Sequence, residues 1–156
     1  MNITIIAVGR IGNSFEAELV KRYCNRFNKL NKLLGLNRLQ IVEIDDKKFK
    51  TKTIQGEKIS EIVKKNLNLV ICDSNGKMMS SEDFTKFLMI QRDTGVKNLF
   101  FVIGGAFGLC SSLYKKDIKI FSLGKMIWPH LLARVMLTEQ IYRSASIMLG
   151  NPYHKS

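Results

Sequence analysis

The chain has 156 residues, 46% of them hydrophobic, which is enough apolar material for one folded domain and too much for a disordered chain. Its 25 Lys and Arg against 13 Asp and Glu leave a formal charge of +12, a balance that suits a polyanionic partner, either nucleic acid or an acidic membrane surface, and equally suits a merely soluble lysine-rich protein. No apolar run reaches the roughly 18 residues of a membrane span. Cys24, Cys72 and Cys110, with His130 and His154, form no CxxC pair and no metal-ligand spacing, so neither a disulfide framework nor a metal site is expected.

The N-terminus, MNITIIAVGR, lacks a basic segment followed by a long apolar stretch and reads as a first strand, residues 2–8, rather than a signal peptide. Ser14 is placed to cap a helix over 15–34, with Phe15, Leu19, Tyr23, Phe27 and Leu30 at helical spacing and Gly35 at its end. Residues 38–44 alternate as a strand. The charged stretch 45–52 is the best candidate for a mobile loop, and Lys47, Lys48, Lys50 and Lys52 are positioned to reach phosphates or simply to be solvated. A helix over 53–65 carries Ile54, Ile59, Ile62 and Val63, and a strand follows at 67–72. Asp73-Ser74-Asn75-Gly76 has the composition of a turn. Ser80 or Ser81 caps a helix over 82–92, and Glu82 and Asp83 sit where the helix dipole favours acids. Residues 98–103 form the most apolar strand. After the glycine-rich loop 104–108 come a short helix near 110–116, a strand at 117–121, and a last helix over 129–149 with Pro129 at its first position and Gly150 at its end. Strands alternating with helices predict a single α/β domain with a largely parallel sheet.

Ligands of open parallel sheets bind outside the carboxyl ends of the strands, and three loops meet that description: 72–76, 104–108 and 122–128. The second, with Gly104, Gly105 and Gly108, permits close backbone approach to a ligand, although a tight strand-to-helix turn needs the same residues. It is neither a dinucleotide-binding fingerprint nor a P-loop. The third mixes backbone-rich and apolar residues, which suits an adenine slot as well as it suits a surface loop with a buried Trp128. The last helix carries Arg134, Thr138, Glu139, Gln140 and Arg143. Glu139 and Arg143, four apart, share one face, and such a helix is as consistent with a subunit interface as with a catalytic surface.

The stretch FFVIGGAFGL, the run FSLGKMIWPHLLARVMLTEQIYRSASIMLGNPYHKS and the segment LVICDSNGKMMSSEDF together resemble the RlmH-type family of bacterial large-subunit rRNA pseudouridine N3-methyltransferases, over essentially the whole chain. The resemblance implies a SPOUT-class α/β fold with a parallel sheet, helices on both faces and a C-terminal trefoil knot, the knotted cofactor-binding region covering about residues 68–150 of a single domain. It also implies S-adenosyl-L-methionine as cofactor, 23S rRNA in the assembled ribosome as substrate, a cytoplasmic homodimer, and no membrane or metal partner. Carried over by position, the cofactor contacts fall on Cys72, Gly104, Leu123, Gly124, Lys125, Met126, Ile127 and Trp128. The chain departs from the family pattern at Cys72, where leucine is common, at Ile127, where threonine is common, and at Ala106 and Phe107, where polar residues are frequent.

Removing the N3 proton of the target base calls for a base or a cationic surface. His154 or Glu139 is assigned to proton handling, Arg143 to orientation or charge stabilisation, and Tyr153 to stacking on the base or hydrogen-bonding it. His130 is read as structural. Lys21, Arg22, Lys29 and Lys32 join the lysines of 45–52 as phosphate contacts. A non-catalytic RNA- or ribosome-binding module that keeps the fold, and a small-molecule enzyme with incidental charge, are the alternatives.

Overall fold

The computed structural model describes residues 1–64 and 68–153. The predicted end of the second helix at Lys65, the predicted strand start at Leu67, and His154 lie outside the described residues.

Five strands, β1 (Asn2–Val8), β2 (Leu39–Ile44), β3 (Leu69–Met78), β4 (Asn98–Ile103) and β5 (Lys119–Ser122), form one sheet in the order β2-β1-β4-β3-β5. Every pairing in it is parallel. Helices α1 (Phe15–Leu30), α2 (Lys52–Val63) and α3 (Ser81–Asp93) lie between strands, and α4 (His130–Met148) follows β5. A sheet of this kind is stable only when both faces are covered, and β1 shows how this is done. Ile3, Ile5 and Ala7 point into a core with Phe27 of α1, Phe84 and Leu88 of α3, and Leu137 and Ile141 of α4. Ile6 and Val8 point the other way, onto Ile59 and Val63 of α2 and onto Leu113. The β-branched run of β1 is therefore buried on both sides. Phe84 seats α3 by stacking on Phe121 at 5.0 Å and packing on Phe101 at 5.8 Å, and full burial of such a ring contributes on the order of 2–3 kcal/mol.

The helix starts follow the expected chemistry. Ser14 accepts from the Ala17 N–H, Thr51 from Ile54, and Ser80 from Asp83. The last turn of the first helical stretch, Asn31–Leu34, tightens to a 3-10 turn before Gly35 takes up φ +64. Four expectations are corrected. First, Asp73-Ser74-Asn75-Gly76 is not a turn ending a strand. β3 runs through it, with a register shift against β5 between Cys72 and Lys77. The Asp73 carboxylate accepts from the Asn75 N–H at 2.9 Å, so the turn chemistry folds a bulge. Pairing with Phe121 and Ser122 resumes beyond it. Second, the helix expected near 110–116 is only a 3-10 turn over Ser111–Leu113. Third, Pro129 caps α4 rather than occupying its first position. Fourth, the stretch 45–52 is a hydrogen-bonded turn that runs into α2 at Lys52: Asp45 Oδ1 accepts from Lys47 and Lys48 N–H groups, Phe49 N–H donates back to the Asp45 carbonyl at 2.8 Å, and Gln55 donates to the Phe49 carbonyl at 2.7 Å.

Candidate functional site: a cleft at the carboxyl edge of the sheet

The bulge of β3 and the ends of β4 and β5 meet in one open cleft of about 690 Å³, counting its open mouth. Cys72, Gly104, Leu123, Gly124, Met126, Ile127 and Trp128 line it. Lys125, in the same loop, is exposed and is not among the lining residues. The fold thus brings together three segments separated by about fifty residues of sequence at the widest, because their strands are neighbours in the sheet.

The β4 wall is built by backbone that leaves little room for side chains. After β4, Gly105 and Gly108 bridge one another, and a Cβ on Gly104 would lie 3.1 Å from the Gly108 carbonyl carbon and from Leu109. A Cβ on Gly105 would stand 3.0 Å from Val8. After β5, Ser122 Oγ donates to the Gly124 carbonyl at 2.8 Å and accepts from its N–H at 3.1 Å, while Gly124 adopts φ +128. That turn leaves Met126 and Ile127 strongly exposed, at 68% and 91%. On the β3 side, burial pushes the Cys72 thiol up to about 12, so it presents an uncharged wall. Asp73 also lines the cleft, and its carboxylate accepts from the Tyr114 hydroxyl at 2.7 Å. Ile103, Leu109, Tyr114 and Ala133 line the cleft outside the three loops that the sequence singles out. Tyr114 follows a 3-10 turn with no motif of its own, and only its contact with Asp73 marks it.

Glu139, Arg143 and Tyr153 do come together, but beside this cleft rather than in it. Arg143 Nε and Nη2 donate to one Glu139 oxygen at 2.9 and 2.7 Å, and the Tyr153 hydroxyl donates to the same oxygen at 3.0 Å. The guanidinium stands 4.9 Å over the Tyr153 ring. Gln140 donates to the other Glu139 oxygen at 2.8 Å and accepts from Ser81 at 2.8 Å, which ties the cluster to α3. The Glu139 carboxylate raises the Arg143 pKa, and burial, then a hydrogen bond with Tyr23 and the Glu139 charge, raises that of Tyr153. Glu139 lines a second cleft, with Tyr23, Met79 and Ser81, that shares Leu123 and Gly124 with the first. The 122–124 turn is therefore the common wall of both clefts.

Two other residues of α4 prove architectural. Arg134 has no exposed surface and is held by Glu43 and by the Val8 and Gly9 carbonyls. His130 packs over Gly9, where a Cβ would come within 3.3 Å of its Nε2; burial and the Arg134 charge lower its pKa against the pull of Asp46. Among the described residues, no group of three or more His, Cys, Asp or Glu stands together to hold a metal, and no helix is long and apolar enough to cross a membrane.

The family model for predicted SPOUT methyltransferases matches residues 1–154. Two relatives named ribosomal RNA large subunit methyltransferase H are similar over their full lengths. The one from Ruegeria sp. (strain TM1040) is 39% identical over 155 residues, covering 99% of both chains. The one from Roseobacter denitrificans is 40% identical over 156 residues, covering 100% of both. Two solved methylase family proteins share the fold at low identity. The protein from Neisseria gonorrhoeae has a TM-score of 0.52 at 13% identity, covering 99% of this chain and 86% of its own. The protein from Haemophilus influenzae Rd KW20 has a TM-score of 0.50 at 14% identity, covering 99% and 70%. With a five-stranded parallel α/β sheet and a cleft at its carboxyl edge, this chain belongs to the SPOUT methyltransferase family.

Proposed function

We propose that this protein is an S-adenosyl-L-methionine-dependent methyltransferase that methylates N3 of a pseudouridine in 23S rRNA of the assembled ribosome. Full-length similarity to relatives named for large-subunit rRNA methylation carries the reading. The cleft fits the cofactor chemically: glycine backbone approaches closely on one side, and Leu123, Met126 and Trp128 offer apolar surface for an adenosine ring on the other. When bound, the cofactor supplies an already activated methyl group.

The chain's own contribution is then positioning and proton management. The cofactor cleft and the cleft that Glu139 lines adjoin at Leu123 and Gly124, so a base that enters from the Glu139 side can reach the donor methyl past this shared edge. Glu139 or His154 takes the N3 proton. Arg143, held on Glu139 at 2.7 Å, orients that carboxylate and stabilises negative charge developing on the base. Tyr153 offers a ring to stack on the base. Lys47, Lys48, Lys50, Lys52, Lys21, Arg22, Lys29 and Lys32, all exposed, are available to phosphates.

The active form in this reading is a cytoplasmic homodimer of single-domain subunits, whose cofactor region covers about residues 68–150 and carries the family's knot. Apolar side chains left uncovered support a partner surface: Phe15 at 85% exposure and Leu19 on α1, where helical spacing predicts burial, and Leu132 on α4. The test is mass spectrometry of rRNA from cells with and without the protein, alongside transfer of labelled methyl groups to purified ribosomes. Loss of one N3-methylated pseudouridine in the deleted strain is the expected result. Binding to ribosomes without any methyl transfer would leave a non-catalytic module, and transfer to free nucleosides would remove the ribosome from the reading.

A further inference from the structure

Among the described residues lining the cofactor cleft, the only carboxylate is Asp73. It is an unusual carboxylate for this chain. Its Oδ1 accepts from the Asn75 backbone N–H at 2.9 Å and from the Asn75 amide at 3.1 Å, and its Oδ2 accepts from the Tyr114 hydroxyl at 2.7 Å. These donors, the Asn75 backbone first, hold its pKa below the ordinary range, so it is an anion at neutral pH. Yet among the described residues no Lys or Arg forms an ion pair with it, in a protein of net charge +12. The bulge of β3 and Tyr114 thus fix an anion, without a cationic partner, in a cleft whose other walls are glycine backbone and uncharged side chains. Such an arrangement favours a ligand that brings the positive charge.

We propose that Asp73, positioned by Tyr114, is the residue by which the cleft distinguishes the cationic methyl donor from the product left after transfer. The proposal rests on the reading of the cleft as an S-adenosyl-L-methionine site. In methyl transfer the carbon–sulfur bond breaks with its electron pair staying on sulfur. The base nitrogen forms the new bond to carbon and gives up its proton. The sulfonium charge is lost and S-adenosylhomocysteine, a neutral thioether at that centre, remains. Every other charge on the two ligands is the same. A fixed carboxylate in the cleft therefore holds the donor more firmly than the product and hastens product release.

The experiment is titration calorimetry of the full chain with S-adenosyl-L-methionine, with S-adenosylhomocysteine and with sinefungin, whose amine carries a positive charge near the position of the sulfonium. The unaltered chain is expected to bind both cationic ligands ahead of S-adenosylhomocysteine. Asp73→Asn is expected to weaken S-adenosyl-L-methionine about tenfold and S-adenosylhomocysteine less than about threefold. Tyr114→Phe should move the ratio the same way by a smaller factor. An affinity ratio unchanged by Asp73→Asn, whether both affinities fall together or neither moves, overturns the proposal while leaving the cofactor reading intact. Failure of the unaltered chain to bind any of the three overturns the cofactor reading and the proposal with it. If Asp73→Asn melts early and cannot be titrated, the ligand series on the unaltered chain decides, and preference for S-adenosylhomocysteine over both cations refutes the role.

Discussion

The fully buried guanidinium of Arg134 donates to the Glu43 carboxylate at 2.8 Å, while its second terminal nitrogen donates to the carbonyls of Val8 and Gly9 at 2.9 and 2.7 Å. One side chain of α4 thereby closes the backbone ends of β1 and clamps β2. Its removal strands two carbonyls, each at a cost of about 1–3 kcal/mol, while the solvent-exposed Glu43 carboxylate keeps the Ile11 N–H. Arg134→Ala is expected to lose stability in that range in urea unfolding. Arg134→Lys should recover little, since one ammonium cannot serve three acceptors placed for a planar fork. A loss below about 1 kcal/mol for Arg134→Ala would show that the clamp is dispensable.

Gly76 lies at the end of the β3 bulge, where an added Cβ would stand 2.7 Å from backbone atoms of Ile120 and Phe121. Backbone cannot swing aside as a side chain can. Gly76→Ala should cost about 2–4 kcal/mol, in the manner of a forced overpacking. Amide hydrogen exchange should locate the damage at β5, because β3 and β5 are neighbours there. Gly95, with open space around its Cβ position but φ +79, should lose less on the same change.

The Glu139 cluster makes separable predictions. Glu139→Gln removes the base while keeping the shape, and turnover on ribosomes should fall about 100-fold or more if that carboxylate takes the proton. Arg143→Lys replaces two N–H donors at 2.9 and 2.7 Å by one flexible ammonium, and a fall of about tenfold is expected. Affinity for the cofactor should stay within about twofold in both, as neither residue lines that cleft. Unchanged turnover in Glu139→Gln would assign the proton to another group, and His154→Ala would then be the next variant to assay.

Titration of the side chains gives a pH signature. Burial, then the Asp73 contact, pushes Tyr114 up to about 12 from 10.0. A folded-state value above the unfolded one means stability is full below about pH 10 and is lost as pH rises toward 12. Tyr114→Phe should flatten that part of the curve. The thiols divide in the same way. Burial pushes Cys24 up to about 11 and Cys72 up to about 12, while the Ser112 hydroxyl beside Cys110 lowers its value. Iodoacetamide at pH 8 should therefore label Cys110 first, as read by peptide mass spectrometry. Faster labelling of Cys72 would show that its side of the cleft opens.

Association with ribosomes should weaken steeply with salt, since Lys47, Lys48 and Lys50 are exposed on a hydrogen-bonded turn and free to meet phosphates. Replacing all three by glutamate should reduce the slope of log K against log salt by roughly 2–3. An unchanged slope would move the RNA contact to another face.

What the sequence alone determined is local or periodic. The β-branched run of β1, the cap at Ser14, and the apolar strand 98–103 rest on side-chain chemistry acting within a few residues, and each appears where its pattern places it; of the two capping candidates Ser80 and Ser81, the fold uses Ser80. The helical stripe of α1 was legible too, but not that Phe15 and Leu19 on it would stay uncovered, because burial is decided by what packs opposite. Asp73-Ser74-Asn75-Gly76 shows the limit most plainly. Its residues encode a tight local bend, and whether that bend ends a strand or bulges it depends on β5, some forty residues later, being there to pair with Lys77 and Met78. The loops after β4 and β5 were recognisable as strand ends, yet only the strand order brings 72, 104 and 124 to one cleft. The same holds for Tyr114 on Asp73 and for the meeting of the Glu139 cleft with that cleft at Leu123 and Gly124: both join distant segments, and tertiary packing alone sets them.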